Sequence, residues 1–305
     1  MLRYAAIDIG SNAVRLLIAD ITQKGNKISF KKTTLVRVPL RLGDDAFLDQ
    51  KISDRKINDL LKTMNAFKNL MDVYQVQKYL ACATSAMREA ANGQEIIALV
   101  KEKADLDLEI IQGKREAHII YANHIEENLD INKSYLYIDV GGGSTELSVF
   151  VNKVPVASRS FDIGTIRILD NQDKDEIWEE MRLWIKEETK EHKNLAGIGT
   201  GGNINKLFKM SNEKEGMPLS YMKLKSMYNE LNGYSLKERI TVLGLNSDRA
   251  DVIVPAAEIF ITILKWTGIK ELFVPRVGMV DGIINLLIEE NLVEDKPVQD
   301  TLHGD

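Results

Sequence analysis

The sequence of 305 residues lacks the marks of several protein classes. Its single cysteine, Cys82, excludes an internal disulfide and is typical of a protein from a reducing cytosol. No apolar run approaches the roughly 20 residues of a membrane helix. The N-terminal stretch MLRYAAIDIG has only a short apolar run with an aspartate inside it, which is not typical of a signal peptide. We therefore expect a cytoplasmic protein with no membrane partner.

Neither acidic nor basic residues predominate in the sequence. The 45 acidic and 40 basic residues are interspersed and leave a net charge of −5, so we expect no nucleic-acid partner. Four histidines and one cysteine, none at the spacing of metal ligands, disfavour a zinc site. No Gly-x-x-x-x-Gly-Lys-Ser/Thr motif is present, which excludes a P-loop. An anionic ligand would need a local site of another kind.

What the sequence does contain is an internal repeat. The stretches YAAIDIGSNAVRLLIAD (4–20) and LYIDVGGGSTELSVFV (136–151) share a strand, an Asp-x-Gly, a small polar turn and a second strand. Asp8 and Asp139 lie 131 positions apart, about the length of a domain. This spacing predicts a duplicated α/β unit with a cleft between the two copies.

Strand-like and helix-like segments alternate through both halves, which predicts a mixed β-sheet flanked by helices in each. We place the first domain at residues 1–120 and the second at 121–290. The C-terminal helix, within 279–305, is a candidate to complete the first domain. The apolar helices of 219–267 are compatible with a homodimer, although packing in the core explains them equally well.

The two glycine-containing turns predict a phosphate site. Turns of Gly, Ser, Thr and Asn expose backbone N–H groups, and such concave arrays bind anions. The candidates are Gly10, Ser11, Asn12, Gly141, Gly142, Gly143 and Ser144. Asp8, Asp139 and Glu146 lie beside these turns and would repel phosphate unless a cation intervened. Carboxylates, waters and phosphate oxygens are ligands that Mg²⁺ prefers, so a magnesium cofactor is expected.

These residues resemble a known family. DIGSN and DVGGGSTE between strands are similar to the turns of the actin, sugar kinase and heat-shock-chaperone ATPase superfamily. Together with ATSAMREAANG, IQGKREAHIIY and GIGTGGNI, they resemble the exopolyphosphatase / guanosine pentaphosphate phosphohydrolase family in its short form. The resemblance implies two ribonuclease H-like (actin-like ATPase) domains with an interdomain cleft.

The resemblance also implies the chemistry. The family removes a terminal phosphoryl group from inorganic polyphosphate or from pppGpp, with a divalent cation and a glutamate that activates water. Glu116, in Gly113-Lys114-Arg115-Glu116-Ala117, matches that glutamate, and Arg88 matches an arginine that contacts substrate phosphates. An ordinary glutamate is ionised at neutral pH, so we expect the pKa of Glu116 to need little adjustment.

Two departures from the family pattern keep alternatives open. The usual Gly-x-Ser-Gly-Thr turn is Gly199 to Asn203 here, and the usual Arg-Glu-Gly is Val280-Asp281-Gly282. Polyphosphate is the expected substrate, and conversion of pppGpp to ppGpp is the alternative. A sugar or acetate kinase that shares the superfamily loops is less favoured. A non-catalytic module that binds polyphosphate or (p)ppGpp is the remaining alternative.

Overall fold

The computed structural model describes residues 2–25, 27–124, 129–192 and 194–294. Strands and helices alternate along most of this chain. The strands are β1 (Leu2–Ile9), β2 (Val14–Lys24), β3 (Lys27–Val38), β4 (Lys78–Ala83), β5 (Glu109–Ile110), β6 (Ser134–Val140), β7 (Thr145–Val151), β8 (Val154–Phe161), β9 (Leu195–Thr200), β10 (Leu219–Ser220) and β11 (Glu271–Phe273).

The helices vary from a single turn to five turns. They are α1 (Leu42–Leu48), α2 (Asp54–Val73), α3 (Ser85–Glu89), α4 (Gly93–Ala104), α5 (Gly113–Tyr121), α6 (Thr165–Leu169), α7 (Asp175–Thr189), α8 (Gly202–Ser211), α9 (Tyr221–Gly233), α10 (Leu236–Thr241), α11 (Ser247–Ala250), α12 (Ile253–Thr267) and α13 (Met279–Glu294). None of the helices among the described residues combines the length and the apolar character needed to cross a lipid bilayer.

The strands form two sheets with the same topology. The first sheet has the order β3-β2-β1-β4-β5 and the second β10-β11-β9-β6-β7-β8. We compare the sheets from β3 in the first and from β8 in the second, leaving the short β10 aside. In this direction each sheet has two antiparallel strand pairs followed by two parallel ones. The prediction of two similar halves with mixed sheets, of the ribonuclease H-like (actin-like ATPase) type, is therefore confirmed.

The inner strands are buried on both faces, because helices cover both. On β1, Ile7 and Ile9 pack with the outer helices, whereas Tyr4 and Ala6 belong to an inner cluster shared by the two sheets. Successive side chains of a strand point to opposite faces, which explains why the residues of β1 other than Arg3 and Asp8 are apolar or aromatic. The inner cluster holds α5 and α13 between the sheets.

Helix α13 packs against β1 and α5, and a glycine makes the second contact possible. A Cβ atom on Gly282 would lie 1.9 Å from the carbonyl oxygen of Ile119, so any side chain there would push α13 and α5 apart. Because α13 contacts β1, its position is compatible with the expectation that the C-terminal helix completes the first domain. The domain limits at 120 and 290 stay predictions. Residues 295–305 lie outside the described residues.

Candidate active site

Two equivalent aspartates stand near the carboxyl ends of the central strands. Asp8 on β1 is paired across the hairpin with Arg15, and Asp139 on β6 is paired across its hairpin with Glu146. The separation of 131 positions holds for both members of these pairs, so the two hairpins correspond residue by residue. Asp8 and Glu146 are buried, and Asp139 is half-buried. The duplication thus brings three carboxylates and one guanidinium toward the space between the sheets.

The turns that follow the aspartates are closed by the same hydrogen bond. The N–H of Gly10 donates to the oxygen of Ala13 at 3.2 Å, and that of Gly141 donates to the oxygen of Ser144 at 2.9 Å. Several further N–H groups of these turns donate no hydrogen bond to any described residue, among them those of Ser11, Asn12, Gly142 and Gly143. Ser11 and Gly143 are buried, and Asn12 and Gly142 are half-buried. Since buried N–H groups normally have partners, these groups are suited to an anion.

The two turns are in direct contact. A Cβ atom on Gly142 would lie 3.0 Å from the Cβ of Ser11 and 3.3 Å from the nitrogen of Asn12. A Cβ on Gly143 would lie 2.4 Å from the hydroxyl of Ser85, which is itself 2.8 Å from the hydroxyl of Ser11. An anion bound by both turns would therefore lie beside this contact rather than between Ser11 and Gly142.

Ser85 was not predicted as part of the site. It begins α3 directly after β4, and β4 is the parallel neighbour of β1. Parallel strands end at the same edge of a sheet, so the serine in ATSAMREA could have been recognised from its position after a buried strand.

Glu116 reaches the site because α5 starts close to β8. A Cβ atom on Gly113 would lie 2.8 Å from the Cβ of Ser160, so glycine allows this approach. The Ser160 hydroxyl also donates to Oε1 of Glu146 at 2.9 Å. The side chain of Glu116 is buried, and its Oε2 has no hydrogen-bond partner. An orphaned carboxylate oxygen in such a place is available to a ligand, a water or a proton.

Burial raises the pKa of Glu116 well above its usual range. The carboxylates of Glu146, Asp139 and Asp8 raise it further, and the guanidinium of Arg88 opposes them. The expectation that the pKa of Glu116 needs little adjustment is therefore wrong, because the sequence cannot reveal the desolvation. A nearby cation would return the residue to its ionised form.

Arg88 is held beside the start of α5. Its Nη1 donates to the carbonyl oxygen of Ile111 at 2.9 Å, and its charge lowers the pKa values of both Glu116 and Glu146. No carboxylate of the described residues lies within 4.0 Å of its guanidinium nitrogens. The predicted phosphate-binding arginine thus faces the carboxylate cluster without being neutralised by a direct ion pair.

The second hairpin carries the more strongly perturbed pair of carboxylates. Burial raises the pKa of Glu146 to about 7, with Asp139 adding to the effect and the hydroxyls of Ser144 and Ser160 opposing it. Burial likewise raises the pKa of Asp139 to about 6, where the hydroxyl of Thr200 opposes it by hydrogen bonding. Crowded carboxylates with raised pKa values favour protons or a cation.

These residues fit a hard cation held through oxygen atoms. Among the described residues, no three acidic, histidine or cysteine side chains converge closely enough to bind a metal directly. Mg²⁺ usually keeps several waters and uses only one or two carboxylates together with substrate phosphates. Asp8, Asp139 and Glu146 are suited to that mode, and the magnesium cofactor stays a prediction.

Thr200, in the turn that departs from the family pattern, also belongs to the site. It accepts a hydrogen bond from the buried hydroxyl of Tyr137 at 2.7 Å, and it hydrogen-bonds Asp139. Register explains this, since Thr200 on β9 lies directly opposite Asp139. The two residues are 61 positions apart in the chain, so only strand pairing reveals the contact.

Arg167 supports the second turn rather than the ligand space. Its Nε donates to the oxygen of Gly143 at 2.6 Å, its Nη2 pairs with Glu89, and its guanidinium lies 4.1 Å from the ring centre of Phe47. With its donors engaged and its side chain buried, Arg167 fixes the position of the turn.

Contacts between residues distant in the chain join the two halves at the other edge of the site. Asn12 donates to the oxygen of Asp248 at 3.2 Å, and Arg37 forms an ion pair with the same aspartate. Arg249 lies nearby, and its pKa is lowered to about 10 by burial and then by the charges of Arg37 and Arg15. The site is therefore acidic on the side of Glu116 and basic on this side, which sequence analysis did not detect.

A family model described as the Ppx/GppA phosphatase family matches residues 17–290. A bifunctional 3-dehydroquinate synthase/phosphatase of Fusobacterium nucleatum is 28% identical over 93% of this chain and 46% of its own. Exopolyphosphatase 1 of Mycobacterium tuberculosis is 27% identical over 55% of this chain and 48% of its own. This chain thus matches about half the length of these two curated relatives. A putative exopolyphosphatase of Haemophilus influenzae is 22% identical over 95% of this chain and 93% of its own.

Solved structures share the fold over nearly their whole length. An exopolyphosphatase from Cytophaga hutchinsonii superposes with a TM-score of 0.79 at 23% identity, covering 94% of this chain and 98% of that one. The Ppx/GppA protein of Aquifex aeolicus superposes with a TM-score of 0.72 at 25% identity, covering 96% of this chain and 99% of that one.

Proposed function

The chain belongs to the Ppx/GppA phosphatase family, and we propose that it is an exopolyphosphatase that hydrolyses the terminal phosphoryl group of inorganic polyphosphate. The observation that carries this proposal is the meeting of two elements at one place. Backbone N–H groups without partners among the described residues lie in two touching turns, and the buried carboxylates of Glu116 and Glu146 stand beside them.

The turns and Arg88 bind the terminal phosphate in this proposal. Backbone N–H groups of residues 10–12 and 141–144 donate to its oxygens, as in other anion-binding concavities. The planar guanidinium of Arg88 offsets its negative charge. Phosphoryl transfer depends mainly on such positioning and charge stabilisation, because the protein need not form a covalent intermediate.

Glu116 acts as the general base. Its carboxylate accepts a proton from a water molecule, and the oxygen of that water forms a bond to the terminal phosphorus. The bond from this phosphorus to the bridging oxygen breaks, so that orthophosphate and a chain shorter by one phosphate are released. The orphaned Oε2 of Glu116 supports this role, since it has room for a new hydrogen bond.

Asp8, Asp139 and Glu146 would hold a divalent cation, with magnesium expected, through waters and phosphate oxygens. When bound, the cation would offset the negative charge that develops on the leaving oxygen. Its presence would also lower the pKa values of the surrounding carboxylates, which favours the ionised form of Glu116 that the reaction requires.

The experiment measures orthophosphate release from polyphosphate of defined length and from pppGpp, each with and without Mg²⁺. We expect release from polyphosphate that depends on Mg²⁺ and is lost in Glu116→Gln. Faster release from pppGpp than from polyphosphate would instead support the nucleotide phosphohydrolase. Binding of either compound without turnover under saturating Mg²⁺ would support a non-catalytic module and overturn the proposal.

A further inference from the structure

A second recess opens beside the candidate active site, between α5 and the inner face of the second sheet. It has a volume of about 280 Å³. Lys114 and Ser158, both exposed, stand at its mouth, and the buried rings of Tyr137 and Phe150 form its floor. Glu146 lines its inner end, where the recess approaches the carboxylate cluster. We refer to it as the α5 cavity.

The walls of the α5 cavity are mainly apolar and aromatic. The rings of Tyr121 and Phe150 stack with centres 5.8 Å apart, and the ring of Tyr137 lies 6.3 Å from that of Phe150. Such surfaces favour a planar aromatic ligand. The volume lies just below the range of about 300–1,000 Å³ that drug-sized ligands occupy, which limits the ligand to one or two rings.

The charges along the cavity select the orientation of a ligand. The ammonium group of Lys114 at the mouth attracts an anionic substituent, whereas no basic side chain of the described residues lines the inner end, where Glu146 lies. An aromatic anion would therefore insert its ring and leave its charge at the mouth. A polyphosphate chain, which has no apolar part, does not suit this recess.

We propose that the α5 cavity is a regulatory site for small aromatic anions of one or two rings. The ligand would touch the two elements that carry the proposed chemistry. Ala117, which lines the cavity, directly follows Glu116, and Glu146 lines it from β7. A ring inserted there would push α5 away from the sheet. Glu116 would then be displaced from the position in which it activates water, which lowers turnover. This regulatory effect rests on the proposed function, whereas binding does not.

The test uses the chain of 305 residues and the fluorescent probe naphthalene-1-sulfonate, an anion with two aromatic rings. We expect saturable binding of one molecule per chain. Ser158→Trp places a large ring at the mouth and should weaken binding at least tenfold. Ser29→Trp is the matched control, because Ser29 is also an exposed serine on the edge strand of its sheet. Both serines bond a hydroxyl on the next strand, Ser158 to Ser148 at 2.9 Å and Ser29 to Thr22 at 3.2 Å.

A second variant tests the same site independently, in case Ser158→Trp does not fold. Lys114→Ala should weaken probe binding severalfold, and Lys62→Ala, an exposed lysine on α2, should not. Equal probe affinity in wild type and in both cavity variants would overturn the proposed site. Binding of the probe at many weak sites, retained by all four variants, would also overturn the proposed site.

The regulatory half is measured separately. Saturating probe should lower orthophosphate release by the wild type and by Ser29→Trp, and should have little effect on Ser158→Trp. Release that stays unchanged at saturation would overturn regulation while leaving the binding site standing. If the protein releases no phosphate from any substrate, the proposed function fails, and the titration alone decides whether the cavity binds aromatic anions.

Discussion

The two glycine-turned hairpins have the same backbone and opposite electrostatics. In the first, Asp8 faces Arg15, and their side chains form an ion pair at 2.6 Å. In the second, Asp139 faces Glu146, and burial raises the pKa values of both. The charge of Asp139 raises the pKa of Glu146 further, and the charge of Asp8 raises that of Asp139. The residue opposite the aspartate therefore makes the difference. Arg15 forms an ion pair with Asp8, whereas Glu146 places a second carboxylate opposite Asp139.

This difference assigns separate tasks to the two copies. The first hairpin is already satisfied internally, so its turn can serve as a support and an anion cradle. The second hairpin contains charges that need a proton or a cation, and Glu116 adds a third carboxylate to it. Duplication thus supplied the geometry twice, whereas the chemistry depends on the side chains by which the copies differ.

The largest effect is expected at the residue between the two hairpins. Glu116→Gln keeps the size of the side chain but removes the base, so orthophosphate release should fall about 10²-fold or more. Glu109→Gln, an exposed glutamate on β5, serves as control and should retain wild-type turnover. Near wild-type release by a folded Glu116→Gln protein would show that another group activates the water.

The two hairpins should respond with opposite signs when one carboxylate is neutralised. Asp8→Asn leaves Arg15 without its partner and should lower the free energy of unfolding by about 1.5–3 kcal/mol. Glu146→Gln removes a buried charge and should raise it at pH 8 without divalent cations. Urea unfolding monitored by circular dichroism measures both, and shifts of the same sign would contradict the comparison.

The gain from Glu146→Gln should depend on pH. The pKa of Glu146 in the folded protein, about 7, lies above its ordinary value, so the folded state binds the proton more tightly than the unfolded state. The stability from this group is therefore present at low pH and lost as pH rises through about 7. The difference between Glu146→Gln and wild type should be clear at pH 8 and small at pH 5. A difference that grows toward pH 5 would contradict the assigned burial.

A smaller effect is expected from the hydroxyl that hydrogen-bonds Asp139. Thr200→Val removes this contact and the acceptor of the Tyr137 hydroxyl, so the pKa of Asp139 should rise beyond about 6. The concentration of Mg²⁺ that gives half of its thermal stabilisation should increase about tenfold, as for other residues that orient metal ligands. An unchanged half-point would remove Thr200 from the cation site.

The smallest effect is expected at the corresponding position of the first half. Cys82 on β4 lies opposite Asp8, as Thr200 lies opposite Asp139. Burial and then the charges of Glu109 and Asp8 raise the pKa of Cys82 to about 12, so it stays a neutral thiol. Cys82→Val should change the free energy of unfolding by less than about 1.5 kcal/mol and leave the Mg²⁺ half-point unaltered. A large shift in that half-point would mean that Cys82 orients Asp8 in the cation site, as Thr200 is expected to orient Asp139.

Much of the local structure follows from sequence patterns. The alternation of strands and helices, the two turns and their separation of 131 positions are properties of neighbouring residues or of a repeat, which a sequence displays directly. Glu116 and Arg88 were found through the family resemblance, because a lone glutamate or arginine on a helix is most often a solvated residue. Their placement next to the turns agrees with that resemblance, and their roles stay proposals.

Contacts between distant segments could not be predicted in this way. Thr200 and Arg249 enter the site through strand register and through the packing of one half on the other. The ordinary pKa expected for Glu116 was wrong for the same reason, since burial and the charges around a carboxylate depend on the whole fold.

The sequence by itself determined two copies of a strand–turn–strand unit and the side chains that each turn carries, since hydrophobic alternation and glycine act over a few residues. Only the tertiary structure decided that the turns touch, that three acidic residues share a site with Glu116, and that a cavity opens behind them. Desolvation and electrostatic repulsion depend on distances through space, and these distances are set by how the sheets and the helices between them pack.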